Sequence, residues 1–362
     1  MRAGSRRKNC TSSILRKGKE TKIGHISVGY VEDVTKGVKQ MHYDYVICGN
    51  VMLDKVVFMD GTKSGHESIG GPATFAYSGV RIWTDSVLQC SNLGADYEKL
   101  FRPWIEKNNV VTDGYKVICD RCNHSIMYFK DKSGAYFDPG QVQLTEEEKW
   151  LKHDAWQDFG YMKTSPEEIE KFTKGKNVKG VYVAQNADRV YWKKMAQIKK
   201  RDGFKLMWEI EGPWAHIHYL KDVQEICRDA VDIFSLNIEE AQKLFDCIGD
   251  EACIRELQKL DVDMTLFRVG QRGAYVVTPT ESIYLPPAPG PVVDPTGCGN
   301  TSTGGALYAY AEGMDPLMVG IMANVASSMN IRQYGIIPDM VGVREECYQM
   351  AKTLYEKYKQ KR

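Results

Sequence analysis

Short, mostly apolar runs alternate with longer amphipathic segments through most of the chain. The runs at 43–48, 181–184 and 206–210 are typical of strands that are buried on both faces of a sheet. Between two of them, residues 189–201 place apolar side chains at the three- and four-residue spacing of a helix. Connections of this length permit right-handed crossovers between parallel strands. The pattern therefore predicts an α/β fold with helices on both faces of a mostly parallel sheet.

The same reasoning extends along the rest of the chain. It predicts further strands at 87–90, 233–236, 264–269 and 275–277, and further helices at 97–108, 220–230, 316–329 and 344–361.

The alternation is interrupted by two β-rich segments. Residues 56–68 read as a hairpin-like excursion, and residues 110–138 contain three short β-rich pieces. These pieces are at 115–119, 125–129 and 135–137. We expect them to pair antiparallel outside the main sheet as a small lid, with segments at about residues 55–69 and 110–138.

The first 40 residues differ in character from the rest. Basic residues prevail there and periodic apolar positions are few, so this segment cannot bury enough apolar surface to offset the entropy of ordering. We predict a disordered basic extension over residues 1–40 and one domain over residues 41–362. Because Met41 precedes the first strand, an upstream extension or a start-site artefact is favoured over a transit peptide.

Composition limits the partners and the compartment. A net charge of +1 gives no reason to expect nucleic acid or an anionic membrane as the main partner. No apolar run is long enough for a transmembrane helix, and the ten cysteines are scattered, which predicts reduced thiols and a cytoplasmic protein. Cys119 and Cys122 form one CxxC pair without a second, so a structural role is favoured over a zinc or redox site.

The stretch 292–310 joins a short apolar run to a segment of small residues through a glycine-rich turn. This order predicts a strand, a tight turn and a helix N-terminus. The first amides of a helix lack intrahelical acceptors, and the helix dipole favours negative charge at that end. Glycines also let a phosphate oxygen approach the main chain. The predicted anion site consists of Gly297, Cys298, Gly299 and Asn300, after a turn that begins at Asp294.

Other glycine-rich motifs fit these residues less well. A P-loop would need Lys where Gly305 stands, and a dinucleotide fingerprint would need a third glycine where Ser302 stands. An ordinary strand-to-helix turn without a ligand remains open from these residues alone.

The residues from Asp294 to Asn300 resemble a known signature. They read Asp-Pro-Thr-Gly-Cys-Gly-Asn, and the ribokinase-like, or PfkB, family of carbohydrate and nucleoside kinases usually has D-T-x-G-A-G-D there. In that family the closing Asp is the base that deprotonates the acceptor hydroxyl. Since the amide of Asn300 cannot take a proton at neutral pH, the resemblance implies a phosphate cradle with weakened or absent base catalysis.

Two motifs on the substrate side extend the resemblance. Asp54, shortly after the first strand, matches the family's aspartate that accepts hydrogen bonds from substrate hydroxyls, and Gly70-Gly71 resembles its double-glycine signature. The asparagine that usually touches the sugar is missing. Because Thr74 or Phe75 stands near its place, the resemblance implies a more apolar substrate pocket.

The resemblance also assigns a nucleotide side. Asn237 and Glu240 read locally as a helix N-cap pair, but the family's N-x-x-E motif helps to hold hydrated magnesium and the nucleotide phosphates. Glu240 would then contact Mg²⁺ through water. Arg268 could reach a phosphate. The full set comprises Asn237, Glu240, Arg268, Gly270, Gly273 and Asn324.

Two further carboxylates flank a predicted strand end. Glu209 and Glu211 could be a paired acid site, but a surface pair before the Gly212-Pro213 turn is the favoured interpretation.

Together these motifs imply a ribokinase-like three-layer α/β/α sandwich with a mostly parallel sheet and a small β lid. The expected activity is phosphorylation of a hydroxyl on a sugar or nucleoside, with ATP and Mg²⁺ as cofactors, and a homodimer through the lid is a further expectation. Two alternatives remain. A pseudokinase that binds a sugar or nucleotide is favoured by Asn300, and an enzyme whose cradle binds a phosphorylated substrate is left open by the missing asparagine near Thr74.

Overall fold

The computed structural model describes residues 42–64, 67–137 and 162–360. Within these ranges the strands are β1 (Tyr45–Cys48), β2 (Met52–Phe58), β3 (Ser68–Gly70), β4 (Val87–Gly94), β5 (Tyr115–Cys119), β6 (Asn123–Phe129), β7 (Gly180–Gln185), β8 (Lys205–Ile210), β9 (Ile233–Asn237), β10 (Met264–Arg268), β11 (Ala274–Val277) and β12 (Ser282–Leu285). The segment 1–40, for which disorder is predicted, lies outside the described residues.

The helices in the same ranges are α1 (Pro72–Arg81), α2 (Tyr97–Asn108), α3 (Pro166–Thr173), α4 (Arg189–Asp202), α5 (Leu220–Ala230), α6 (Ile238–Phe245), α7 (Asp250–Leu257), α8 (Cys298–Ala311), α9 (Pro316–Asn330) and α10 (Arg344–Lys359).

Nine of the described strands form the main sheet, in the order β12-β11-β10-β9-β8-β7-β1-β4-β5. From β10 to β5 every neighbouring pair is parallel, whereas β11 and β12 add an antiparallel edge. The predicted mostly parallel sheet is confirmed. Strand β12 and helix α7 are elements that the apolar pattern did not reveal.

Side-chain alternation along the central strands separates two cores. In β1, Tyr45 and Ile47 join the core on one face, while Val46 and Cys48 join the core on the other. All four are fully buried, because helices cover both faces of the sheet. The first layer contains α1, α2, α8, α9 and α10, and the second contains α3 to α7. The molecule is therefore the predicted α/β/α sandwich.

Helices α1 and α8 touch through their backbones. A Cβ atom on Gly79 would overlap the carbonyl oxygen of Thr301, and one on Gly304 would overlap that of Ala76. Such close approach requires glycine at both positions. This contact fixes how closely α1 and α8 pack.

The remaining three described strands form the small sheet, in the order β3-β2-β6. Its apolar side chains make small clusters of their own, one of which contains Val56, Phe58 and Phe129. We refer to β2, β3 and β6 as the lid. The pairing of β2 with β6 is parallel, although antiparallel strands were predicted throughout this part.

The extent predicted for the lid is wrong in one strand. β5, in the segment 110–138, pairs parallel with β4 and forms an edge of the main sheet. The predicted strand 135–137 is reduced to one bridge between Phe129 and Tyr136. A short β-rich run has the same composition in either sheet, and only its distant partner decides where it pairs.

Three features were sought in the parts of the chain that the structure describes: membrane-spanning helices, disulfides and clusters of metal-ligating side chains. None of the helices there is long and apolar enough to cross a membrane. Cysteines within the described ranges are free thiols, and no group of three or more metal-ligating side chains occurs among these residues. The Cys122 Sγ atom lies 3.7 Å from the Gly94 carbonyl oxygen, which supports a structural role for the CxxC pair.

Candidate active site

A cleft of about 1690 Å³ runs between the lid and the ends of the central strands. Ligands of open α/β sheets bind outside the carboxyl ends of the strands, because loops and helix N-termini converge there. The cleft receives Asn186 after β7, Glu209 from β8, Asn237 from β9 and Arg268 from β10. The first turn of α8 and residues of the lid complete its wall.

The N-terminus of α8 faces this cleft without a side-chain cap. Its N-cap, Gly297, has φ of 74°, a left-handed conformation that a β-carbon would strain. A Cβ there would also overlap the Phe75 ring. The next three residues, Cys298, Gly299 and Asn300, line the cleft. The Cys298 amide donates to the Pro295 carbonyl at 3.2 Å, which leaves the amides of Gly299 and Asn300 at the cleft end of the helix.

Asp294 shapes the turn before α8. Its Oδ1 atom accepts hydrogen bonds from the Thr296 amide at 2.9 Å and the Thr296 hydroxyl at 2.7 Å. Burial raises the pKa of its carboxyl group. Asp294 is only 1% exposed and is not among the described residues that line the cleft, so it holds the turn rather than contacting a ligand.

Asn300 lies on the cleft wall near a buried polar pair. The hydroxyl of Tyr182 donates to Glu209 Oε2 at 2.7 Å. Burial raises the pKa of this hydroxyl, and the neighbouring Asn300 amide opposes the rise.

Glu209 is a site residue that the sequence interpretation missed. It is 4% exposed and lines the cleft, although a surface carboxylate was favoured. Its Oε1 atom lies 2.8 Å from Arg268 Nη1. Its position at the end of a buried parallel strand was the available signal, since such ends meet the ligand. Tyr182, in the middle of an apolar strand, offered no signal of this kind.

The N-x-x-E motif forms the capping box of α6. The Glu240 amide donates to Asn237 Oδ1 at 3.0 Å, and Glu240 Oε2 accepts from the Asn237 amide at 2.7 Å. Burial raises the pKa of Glu240, and the Arg268 guanidinium 3.7 Å away opposes this rise. Both residues line the cleft. The motif thus makes the helix cap and also presents its side chains to the site.

The other residues predicted for the nucleotide side also line the cleft. Gly270 and Gly273 form the turn between β10 and β11, and both line the cleft. Asn324 also lines it, but its amide donates to the carbonyls of Leu285 and Pro286 at 3.2 and 2.8 Å. Asn324 therefore ties α9 to the loop after β12.

Asp54 lies on lid strand β2 at the other end of the cleft. It is 5% exposed, and its Oδ2 atom accepts from the Gly71 amide at 3.3 Å. Burial raises the pKa of this carboxyl group to about 7, and the Asp294 charge adds to the effect. A Cβ on Gly70 would overlap this carboxyl, which explains the first glycine of the pair.

Thr74 does not contact the cleft as the sequence interpretation proposed. It is buried, and its hydroxyl accepts from Gln89 Nε2 at 3.2 Å in the core. The neighbouring Phe75 lines the cleft instead. The lid adds further apolar surface around Asp54 through Met52, Met127, Phe129 and Tyr136.

Comparison with known proteins gives a consistent assignment. A cytidine kinase from Thermococcus kodakarensis is 25% identical over 285 residues, spanning 75% of this chain and 89% of that kinase. A probable sugar kinase from Rhizobium etli superposes with a TM-score of 0.64 at 18% identity, covering 86% of this chain and 99% of that one.

A ribokinase from Arabidopsis thaliana, solved with ribose and ATP, has a TM-score of 0.61 at 18% identity over 86% of this chain and 99% of its own. The model of the pfkB family of carbohydrate kinases matches residues 70–341. That range contains β4 to β12 and helices α1 to α9, which is most of the chain, so the chain belongs to the pfkB carbohydrate kinase family.

Proposed function

We propose that this chain transfers the γ-phosphoryl group of Mg-ATP to a hydroxyl of a sugar or nucleoside. The observation that carries the proposal is the uncapped N-terminus of α8, which faces the same cleft as the buried carboxylate of Asp54. An anion site and a hydroxyl-binding carboxylate in one cleft are what phosphoryl transfer to an alcohol requires. The cytidine kinase and the ribokinase among the relatives support the same reaction class.

The chain's residues divide into two groups by position. The amides of Gly299 and Asn300 would stabilise charge on the transferring phosphoryl group, because they lie at the uncapped start of α8 on the wall of the cleft. Asn237, Glu240 and Arg268 line the nucleotide side, and Asp54 would hold the acceptor. Transfer then depends on bringing the two ligands into line.

The magnesium part of the proposal rests on Glu240. Among the described residues, no three metal-ligating side chains come together, and the Glu240 carboxylate already faces Arg268. Magnesium normally keeps several waters and binds through few carboxylates together with substrate phosphates. The donor set therefore suits an ion that arrives with the nucleotide, with Glu240 contacting it through water.

The acceptor end of the cleft favours a molecule with an apolar face. Met52, Phe75 and Met127 line it, and the Phe129 and Tyr136 rings stack with their centroids 5.1 Å apart. Aromatic and thioether side chains pack well against a flat heteroaromatic ring. These contacts support a nucleoside as acceptor more than a free sugar.

A pseudokinase is the second candidate, and Asn300 is the residue that favours it. The amide is nearly isosteric with a carboxylate and keeps the start of α8, but it accepts no proton. Such a protein would bind Mg-ATP and acceptor without forming product.

Transfer of a labelled γ-phosphoryl group tests the proposal. ATP carrying the label is incubated with candidate sugars and nucleosides, and phosphate esters are separated and counted. We expect the label in an ester of one acceptor class together with a matching amount of ADP. Label found only in inorganic phosphate, or retained in ATP while both ligands bind, would favour the pseudokinase.

Acceptor use should depend on pH through Asp54. Since burial raises the pKa of its carboxyl to about 7, this group gains a proton as the pH falls through neutrality. Substrate hydroxyls donate to the ionised form, so kcat/KM for the acceptor should fall by about tenfold per pH unit below that value and level off above it. Steady-state rates across pH measure this profile.

Asp54→Asn should lower kcat/KM and remove the inflection, because the amide does not titrate. Asp229→Asn, at an exposed aspartate on α5 paired with Arg228, is the matched control and should keep it. If the pH profile of Asp54→Asn keeps the same inflection, the titrating group is not Asp54.

The lid should become more protected when the acceptor binds. Its clusters of apolar side chains are small and separate from the two main cores, so we expect the lid to open more readily than the main sheet. Hydrogen exchange in β2 and β6 should slow with saturating acceptor, while β1 and β7 remain unchanged. Equal exchange in β2 and β6 with and without acceptor would contradict a closing lid.

A further inference from the structure

Two cysteines meet at the connection between α6 and α7. The Sγ atoms of Cys247 and Cys253 lie 3.5 Å apart, and both cysteines are free thiols. The sulfurs of a disulfide are about 2.05 Å apart, so the two atoms would have to approach by about 1.5 Å to form one. The pair is therefore close to the geometry of a bond without being bonded.

The connection that carries Cys247 can make this movement. Asp246 ends α6 in a left-handed conformation, and Gly249 precedes α7 with φ of 88° and open space where a Cβ would be. Ile248, between them, is 91% exposed. A segment with so few packed side chains adjusts at little cost in free energy. Cys247 can thus approach Cys253 while α7 stays in place.

The two thiols differ in their access to solvent. Cys247 is half-buried, whereas Cys253 is fully buried. Burial raises the pKa of Cys253 to about 12, so its thiol stays protonated near neutral pH. An oxidant from solution therefore meets Cys247 first, and Cys253 is the thiol that completes a bond.

A second pair of neighbouring cysteines lacks this access. Cys48 and Cys90 lie opposite each other on β1 and β4, and they are 0% and 2% exposed. Both strands have neighbours on each side in the main sheet, so neither backbone is free to shift. This pair is an internal comparison for the reactivity of the first.

We propose that Cys247 and Cys253 are a reversible oxidation site, at which a hydroperoxide converts the two thiols into a disulfide. With hydrogen peroxide, the Cys247 thiolate attacks one oxygen and becomes a sulfenic acid, while the other oxygen takes a proton and leaves as water. The Cys253 sulfur then attacks the sulfenic sulfur. The S–O bond breaks, and the hydroxide takes the Cys253 proton and leaves as water. The two thiols lose two electrons and two protons, and the peroxide is reduced to two waters.

The disulfide would close a ring over residues 247–253, which contains Asp250. The Asp250 carboxylate pairs with Arg272 on the turn between β10 and β11. Gly270 and Gly273 of this turn line the cleft. Oxidation thus stiffens a segment that supports one side of the cleft.

Thiol mapping of the full-length protein tests the proposal. The protein is treated with an excess of hydrogen peroxide at neutral pH without denaturant, the remaining thiols are alkylated in denaturant, and the digest is read by mass spectrometry. We expect Cys247 bonded to Cys253, with two hydrogens lost and no covalent link to a second chain. Dithiothreitol should restore both thiols, and Cys48 and Cys90 should be alkylated throughout. Hydrogen exchange of residues 246–250 should slow after oxidation.

Three variants identify the role of each thiol. Cys247→Ser should leave Cys253 reduced, because peroxide does not reach the buried thiol. Cys253→Ala keeps an apolar side chain in the core and should leave Cys247 as a sulfenic acid that dimedone captures. Cys119→Ser is the matched control, since Cys119 is also half-buried, and it should form the same disulfide as the unaltered protein.

The test needs neither nucleotide nor acceptor, so its outcome is separate from that of the proposed function. The proposal is wrong if both thiols survive the peroxide excess, if Cys247 joins a different cysteine, or if Cys253 is oxidised equally in Cys247→Ser. A disulfide that leaves hydrogen exchange of residues 246–250 unchanged would overturn the stiffening of this segment.

Discussion

Asn300→Asp should raise kcat by about 10²- to 10⁴-fold, the range that a positioned general base contributes, and should change KM for ATP little. Asn and Asp are nearly isosteric, so the start of α8 should be kept. The new carboxylate would line the cleft at the position that we propose for the base, and there it can accept the acceptor's proton. Steady-state kinetics with the best acceptor measures the change.

Asn186→Asp is the matched control for this substitution. Asn186 lines the same cleft after β7, and its Oδ1 atom accepts from the Asp188 amide at 3.0 Å, a bond that Asp can also make. It adds the same charge away from α8 and should not raise kcat. Equal gains in kcat for both variants would contradict the role given to residue 300. The same holds if Asn300→Asp weakens ATP binding by more than the modest repulsion expected between the new carboxylate and the γ-phosphate.

A third outcome would point to another base. If the unaltered protein turns over at about 1 to 100 per second and Asn300→Asp is no faster, the chain already has a proton acceptor. Asp294 is the nearest carboxylate in sequence, but it lies outside the cleft lining, with one oxygen taken by Thr296. Glu209 lines the cleft with Asn300 and accepts from the Tyr182 hydroxyl, so it becomes the candidate.

Gly299→Ala should lower kcat by about 10²- to 10³-fold, as for the loss of one oxyanion donor elsewhere. The added methyl group would overlap Arg268 Nη1 and occupy the space through which a phosphoryl oxygen reaches the amides of α8. Rates with saturating ATP and acceptor measure the loss.

Gly313→Ala is the control for a general loss of stability. Gly313 lies just beyond the other end of α8, has φ of 76° and has open space where a Cβ would be. Alanine there strains the backbone and lowers stability, but kcat should hold. If Gly299→Ala keeps its kcat while binding ATP, the phosphoryl group does not react at this helix start.

The positions of the motif residues were predictable because they depend on local geometry. A glycine turn followed by a helix start leaves main-chain amides without intrahelical acceptors, and Gly297 and Gly299 lie at such a start. Asp54, Asn237 and Arg268, far apart in sequence, line one cleft because the carboxyl ends of neighbouring strands and the lid meet there.

The features that the sequence did not reveal depend on distant partners. Glu209 is a site residue because Tyr182 and Arg268 bury it, and neither contact is visible in its own segment. Thr74 is adjacent to Phe75, but a helix turns the two side chains in different directions, so one faces Gln89 and the other the cleft. β5 joined the main sheet for the same reason, since pairing is decided by β4.

Acceptor-dependent release of ADP by the unaltered protein tests the central claim most directly. A panel of nucleosides and sugars is presented with Mg-ATP, and Gly299→Ala measured in parallel gives the background hydrolysis. The account predicts release above that background with one class of acceptor, in step with the phosphate ester formed. The account would be contradicted if no acceptor increased the release of ADP, although the protein binds both ATP and a nucleoside.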